Sequence, residues 1–308
     1  MQRATLAEIR DRTCKTRDAW WTVLLVDPLA LRLVRLAAPY RWITPNRLTG
    51  LATVLGLAAA GCFAGQSRGW LIAGALLFHL AFVIDCMDGK IARLNGTGSL
   101  FGAWFDFMFD RLRVIFCAVA LMGGQYARTG NPMFLWLAVA VISLDVLRYL
   151  NSSQMSKTRR AMSLELRREG DAAVIPSLPE GGMPAAMRPA AVSSGAVSSG
   201  GVLSGAVRSD ALPPTAALPT VVLPAAMPDA IHAIRARGRA FLHRRRIRTH
   251  LVSGIEFEMA VFIIGPLTGW LAGTAVVAGG LLVAFELRLV YCLWRATQRH
   301  AVHLARTA

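Results

Sequence analysis

The chain has 308 residues, 55% of them hydrophobic and only 17% charged, with a formal net charge of +16. An apolar fraction this high, gathered into blocks, argues against an ordinary soluble domain. The positive charge alone would suit a nucleic-acid binder, but its distribution along the chain argues against that partner.

Residues 1–17 are polar and mixed in charge. From 18 to 38 the chain reads DAWWTVLLVDPLALRLVRLAA. Leu29, Leu33 and Leu36 recur at helical spacing while Arg32 and Arg35 fall to one side. With Trp20 and Trp21 nearby, this predicts an amphipathic helix lying in the cytoplasmic interface; a soluble packing helix is the alternative. Thr44-Pro45-Asn46 then opens the first span, with Pro45 suited to a first helical turn.

Six apolar blocks follow, at 48–64, 70–84, 101–123, 133–150, 255–271 and 274–294. Each can supply, with its flanking residues, a helix of roughly 17–25 residues, the length a bilayer core requires. Acids and arginines interrupt the third and fifth, so plain hydropathy ranks them weakly; six spans is the best count and five the alternative. The expectation is an all-α, multi-pass bundle of six transmembrane helices in the cell membrane, preceded by the amphipathic helix.

With a cytoplasmic N-terminus, the outer loops are 65–69, 124–132 and 268–273. They hold Arg68 and Arg128, which leaves 32 of the 34 Lys and Arg residues on the inside or near inner helix ends. That asymmetry predicts that both termini are cytoplasmic and that nucleic acid is not a partner. Five cysteines without paired spacing imply neither disulfides nor zinc.

Between the fourth and fifth blocks, residues 170–228 are rich in Ala, Pro, Gly, Ser and Val and include AVSSGAVSSG. They read as part of a flexible cytoplasmic insertion. Residues 235–248 (RARGRAFLHRRRIR) carry seven arginines, which suit an anchor on anionic lipid heads or a grip on a substrate phosphate. The predicted organisation is 1–43, tail and interfacial helix; 44–154, spans one to four; 155–250, basic insertion; 251–308, spans five and six with a cytoplasmic tail.

The chemistry concentrates in residues 85–110, DCMDGKIARLNGTGSLFGAWFDFMFD, which parse as D-x2-D-G-x2-A-R-x8-G-x3-D-x3-D. Asp85 and Asp88, three apart, share a helix face at the inner end of the second span. Gly98, Gly102, Asp106 and Asp110 are successive four-residue steps and form one stripe. Gly89 is placed to end the helix in a left-handed conformation, with 90–97 as the linker that turns the two helices antiparallel.

Four carboxylates in one pocket repel strongly, and one or two divalent cations remove that penalty. An all-oxygen site suits Mg²⁺, Mn²⁺ or Ca²⁺ rather than zinc. Paired metals commonly serve displacement at phosphorus. Gly102 leaves room for a ligand near the backbone, and Arg93 offers a fork for phosphate oxygens. The plainer alternatives are proton or sodium sites of an ion-coupled transporter, or acids that cap helices and pair with Arg93, Arg111 and Arg113.

The whole segment resembles, without gap or substitution, the signature of the CDP-alcohol phosphotransferase (CDP-alcohol phosphatidyltransferase) family. Thr44-Pro45-Asn46 with Leu48-Thr49 is similar to that family's entry to its first span. The long insertion departs from the compact family pattern. The resemblance implies transfer of a substituted phosphate, phosphatidyl in kind, from a CDP-alcohol to an acceptor hydroxyl with release of CMP, in phospholipid biosynthesis. It implies that Asp85, Asp88 and Asp106, helped by Asp110, hold Mg²⁺ or Mn²⁺, two ions being the expectation, and that Asp110 is the catalytic base. It implies a CDP site at Gly89, Ala92, Arg93 and Gly102, with Asn46 and Thr49 added. CDP-diacylglycerol as donor, an alcohol acceptor, membrane lipids and a homodimer are the implied partners, with the active site cytoplasmic.

Further charges fall within the spans. Asp145 and Arg148, three apart, are able to pair; Glu286 and Arg288 lie in the sixth block. Glu256 and Glu258 open the fifth, either as interhelical ion-pair partners or as contacts to the acceptor.

Overall fold

The computed structural model describes residues 5–40, 42–168, 237, 241–242, 245–248 and 252–307. The insertion stretch 170–228 lies outside the described residues. Within them the regular structure is helical, apart from one isolated β-bridge between Asp18 and Ile247.

Helix α1 (Leu6–Thr13) starts on a capping box. The Glu8 amide donates to Thr5 Oγ1 at 3.3 Å and the Thr5 amide donates to Glu8 Oε2 at 2.8 Å, satisfying two helix-end donors reciprocally. Those bonds from Thr5 hold the Glu8 carboxyl below its usual range. A π-helical turn (Thr22–Val26) leads into α2 (Asp27–Ala37). Val26, Ala30, Val34 and Ala37 are buried, while Leu24, Leu25, Leu29 and Leu36 are exposed along with Arg32 and Arg35.

Four long helices follow: α3 (Pro45–Ala64), α4 (Arg68–Asn95), α5 (Leu100–Thr129) and α6 (Met133–Arg168). Helix α7 occupies residues 254–268, built from Gly254–Met259, a π-helical turn Ala260–Ile264 and Gly265–Thr268. Helix α8 is Leu271–Thr307. Among the described residues, four segments are long and apolar enough to cross a membrane: Pro45–Ala64, Arg68–Asn95, Met133–Glu165 and Leu271–Val302. The other two predicted spans are present as helices α5 and α7. Asp106, Asp110, Arg111 and Arg113 break the apolar run of α5, and α7 is short and opens on Glu256 and Glu258.

One expectation needs correction. Helix α4 does not end at Gly89 but continues to Asn95, and the left-handed cap is Gly96, with φ 65°. Gly96 and Asn95 form the stop because the Gly96 and Thr97 amides both return to the Ala92 carbonyl. Ser99 then caps α5, its hydroxyl accepting from the Gly102 amide at 2.9 Å. The linker is therefore only residues 96–99, which holds the two acidic helices close. At the other end of the bundle, the buried Gln66 side chain donates to the carbonyls of Phe63 (2.6 Å) and Leu121 (3.0 Å), tying the α3–α4 turn to α5.

Phe63, Phe78 and Phe262 bring α3, α4 and α7 together, with ring centroids 4.8 Å apart for Phe78–Phe262 and 6.3 Å for Phe63–Phe262. The polar interior is held by Arg111 on α5. It bonds Asp145 of α6 and, at 3.1 Å, Glu258 of α7, with its guanidinium 3.8 Å from the Tyr149 ring centroid. Asp145 and Arg148 thus take partners on other helices: Arg148 pairs with Glu286 of α8 at 3.0 Å, and Asn151 donates to the same carboxylate at 2.5 Å. Removing one partner of such a buried cluster strands the others, at a cost of about 3–5 kcal/mol. Arg111→Ala is expected to lower the thermal unfolding midpoint of the detergent-solubilised protein by several degrees. An unchanged midpoint would show that the cluster does not hold α5, α6 and α7 together.

Candidate active site

Three helices supply the site. Helix α3 brings Asn46 and Thr49 in its first turns, which Pro45 and the extended Thr44 start at this level. Helix α4 brings Asp85, Asp88, Gly89, Ala92 and Arg93, and α5 brings Gly102, Asp106 and Asp110. One oxygen each from Asp85, Asp88 and Asp106 lie within 4.8 Å of one another, forming among the described residues the one group with metal-ligand spacing. Asp88 is buried, and Asp85, Asp106 and Asp110 are half-buried.

Each carboxylate has a distinct environment. Thr49 Oγ1 donates to Asp88 Oδ2 at 2.5 Å and so fixes that side chain from α3. Asp106 Oδ1 is buried with no hydrogen-bond donor, a costly state for a carboxylate oxygen unless a cation meets it. Asp110 Oδ1 accepts from Arg113 Nη2 at 2.5 Å, and Arg113 Nη1 reaches Asp85 Oδ1 at 3.4 Å. A cluster of oxygens with an unmet lone pair fits a hard divalent cation, for which carboxylates are the preferred ligands.

The predicted nucleotide positions lie around this cluster. Asn46 comes beside Gly102: a Cβ on Gly102 would stand 3.2 Å from Asn46 Oδ1 and 3.0 Å from Ser99 Oγ. Gly89 sits in mid-helix, where its missing side chain leaves the Arg93 guanidinium 3.7 Å from the position a Cβ would take. Arg93 is exposed and Ala92 half-buried, so the face next to the carboxylates offers an open backbone strip with one cationic fork. Thr49 is already committed to Asp88.

Glu256 and Glu258 are turned inward. Glu258 bonds Arg111, and Glu256 accepts from Ser253. The basic run before α7 is partly tied down: the Asp18 amide donates to the Arg246 carbonyl at 2.9 Å, and the Arg246 side chain donates to the Lys15 carbonyl. Residues that no motif flagged also matter. Gly56 on α3 opens the slot for Arg113, since a Cβ there would lie 2.5 Å from Arg113 Cδ. Nothing in the spacing of Gly56 marks it; the i,i+3 step from Asp110 to Arg113 is the one local cue to that pair.

Fold and site together define a helical domain with helices long and apolar enough to cross a membrane and an aspartate cluster of metal-ligand spacing at the junction of α4 and α5. Residues 42–166 match the family model described as CDP-alcohol phosphatidyltransferase. The chain is 34% identical over 131 residues to a phosphatidylinositol phosphate synthase of Cutibacterium acnes, covering 42% of this chain and 56% of that protein. It is 27% identical over 130 residues to the phosphatidylinositol phosphate synthase of Mycobacterium tuberculosis, with the same coverage. An archaetidylinositol phosphate synthase of Pyrococcus horikoshii is 40% identical over 70 residues, 23% of this chain and 36% of that one. The chain thus spans just over half the length of these two bacterial relatives.

The Arg113 slot gives a direct test. Gly56→Val forces the arginine stem aside, and overpacking of this kind costs about 1–3 kcal/mol. The expected result is a lowered unfolding midpoint. Gly50→Ala on the same helix, where nothing lies within 4 Å, is expected to be neutral or stabilising; equal losses for both would refute the slot.

Proposed function

We propose that this chain is an integral-membrane transferase that moves a phosphatidyl group from CDP-diacylglycerol to an acceptor hydroxyl and releases CMP. The observation that carries this reading is the convergence of Asp85, Asp88 and Asp106 inside the stretch that matches the CDP-alcohol phosphatidyltransferase family model. A divalent cation bound there, Mg²⁺ or Mn²⁺, would neutralise the pyrophosphate oxygens during displacement.

The chain's own residues set up the rest. Asp88 is aimed by Thr49, which acts on the substrate through that carboxylate. Gly89, Ala92, Gly102 and Asn46 let the cytidine diphosphate approach the backbone of α4 and α5, and Arg93 takes phosphate oxygens with its fork. Arg113 occupies Oδ1 of Asp110, which leaves Oδ2 to receive a proton. The acceptor oxygen bonds the β-phosphorus as its proton passes to Asp110. The bridging P–O bond breaks, and its electron pair leaves with CMP. Geometry rather than an unusual basicity is what such a base needs.

The names of the relatives favour an inositol phosphate as acceptor. Glu256 and Glu258 are proposed on the acceptor side, Glu258 acting through Arg111. We read α5 and α7 as the third and fifth of six spans, and α2 as an interfacial helix. The termini and the active site are then cytoplasmic, in a homodimer of the cell membrane. An ion-coupled transporter would use the same acids, but it has no need of Gly89, Arg93 and Gly102 in register with them.

The test is CMP release from CDP-diacylglycerol by the purified chain with Mg²⁺ or Mn²⁺, comparing inositol phosphate, glycerol phosphate and serine, with the product identified by mass. Asp110→Asn is expected to reduce turnover by about 10²–10⁴-fold with an unchanged unfolding midpoint. A wild-type rate in that variant would refute the base assignment.

A further inference from the structure

The two halves of the carboxylate cluster are not equivalent. Asp88 and Asp106 meet on one side, with a neutral hydroxyl from Thr49 on Asp88 and an unmet oxygen on Asp106. Asp85 and Asp110 meet on the other, and there a guanidinium already joins them. Asp110 accordingly stands outside the group of three oxygens with metal spacing.

We propose that Arg113 is the resident cation of the Asp85–Asp110 half, so that the site takes one divalent ion, on Asp85, Asp88 and Asp106, instead of two. The proposal rests on reading these aspartates as a divalent-metal site.

Arg113 is built into the bundle. Its side chain is only 3% exposed, its stem lies in the slot that Gly56 leaves open, and its guanidinium sits 6.0 Å from the Phe78 ring centroid. The position therefore does not depend on the carboxylates alone. Its charge is permanent, since a guanidinium is not deprotonated in a protein. A dication placed between Asp85 and Asp110, about 2.1 Å from their oxygens, would compete with this group for both carboxylates at once, whereas an ion on the Asp88–Asp106 side shares only Asp85 with it.

On the other half, the Thr49 hydroxyl orients Asp88 without adding charge, which is how outer groups commonly aim a metal-binding carboxylate. The other cation buried within the motif, Lys90, is directed away, to Asp27 at 2.9 Å. It does not compete for the cluster.

The proposal is tested by titrating the purified full chain in detergent with Mn²⁺, with and without CDP. Protein-bound Mn²⁺ is counted after filtration, and low-temperature electron paramagnetic resonance records whether ions are isolated or spin-coupled. The expected result is one Mn²⁺ per chain with the spectrum of an isolated ion in both conditions. Arg113→Ala is expected to admit a second, coupled Mn²⁺, whereas Arg113→Lys, which keeps a charge, is expected to stay at one. Two coupled ions in the wild-type chain would overturn the proposal while leaving the metal reading intact. No bound Mn²⁺ at millimolar concentration would remove the metal reading and this proposal with it. If Arg113→Ala does not fold, the wild-type count decides alone.

Discussion

Repulsion among aspartates at the α4–α5 junction is the constraint on which the rest of the structure depends. Two helices joined by residues 96–99 bring these carboxylates into one half-buried place, where like charges are poorly screened. A fold can hold such a cluster only if cations are supplied at defined points. Arg113 supplies one from within the bundle, at Asp85 and Asp110. The buried oxygen of Asp106 has no donor, and that is where the proposed divalent cation would sit.

Helix α5 carries this arrangement and a second one on its opposite side. Arg111 and Arg113 are two residues apart, so they point roughly 200° apart around the helix. Arg113 faces α3 and α4 and the carboxylates. Arg111 faces α6 and α7, where Asp145, Glu258 and Tyr149 enclose it. The same helix thus presents Asp110, the proposed proton acceptor, to the site and locks its own rotation through an ion cluster behind. That rear lock explains why the charges that spoil the hydropathy of α5 do not expel it from the bundle: Asp110, Arg111 and Arg113 each have a named partner, and Asp106 is the exception.

Spacing alone made much of the site legible. Four-residue steps placed Asp106 and Asp110 on one stripe, and the three-residue step from Asp85 to Asp88 placed those two on one face, as the structure shows. The all-helical class was likewise readable from the apolar blocks. The helix stop was not: Gly89 and Gly96 both lie near the end of the block, and the capping bonds to Ala92 decide between them. Asp145 and Arg148 have the spacing of an ion pair, yet tertiary geometry gives each a nearer partner on another helix. Gly56 was illegible for the same reason, because its importance lies in an arginine 57 positions away that no local pattern connects to it.

The most direct test of the central claim is thermal unfolding of the purified chain with and without Mg²⁺ or Mn²⁺ at constant ionic strength. Binding to the folded state alone adds about 2.7 kcal/mol when the ion is at 100 times its dissociation constant. The account predicts a midpoint raised by several degrees by either ion, not by Na⁺, and abolished in Asp106→Ala. A midpoint indifferent to millimolar divalent cations would contradict it.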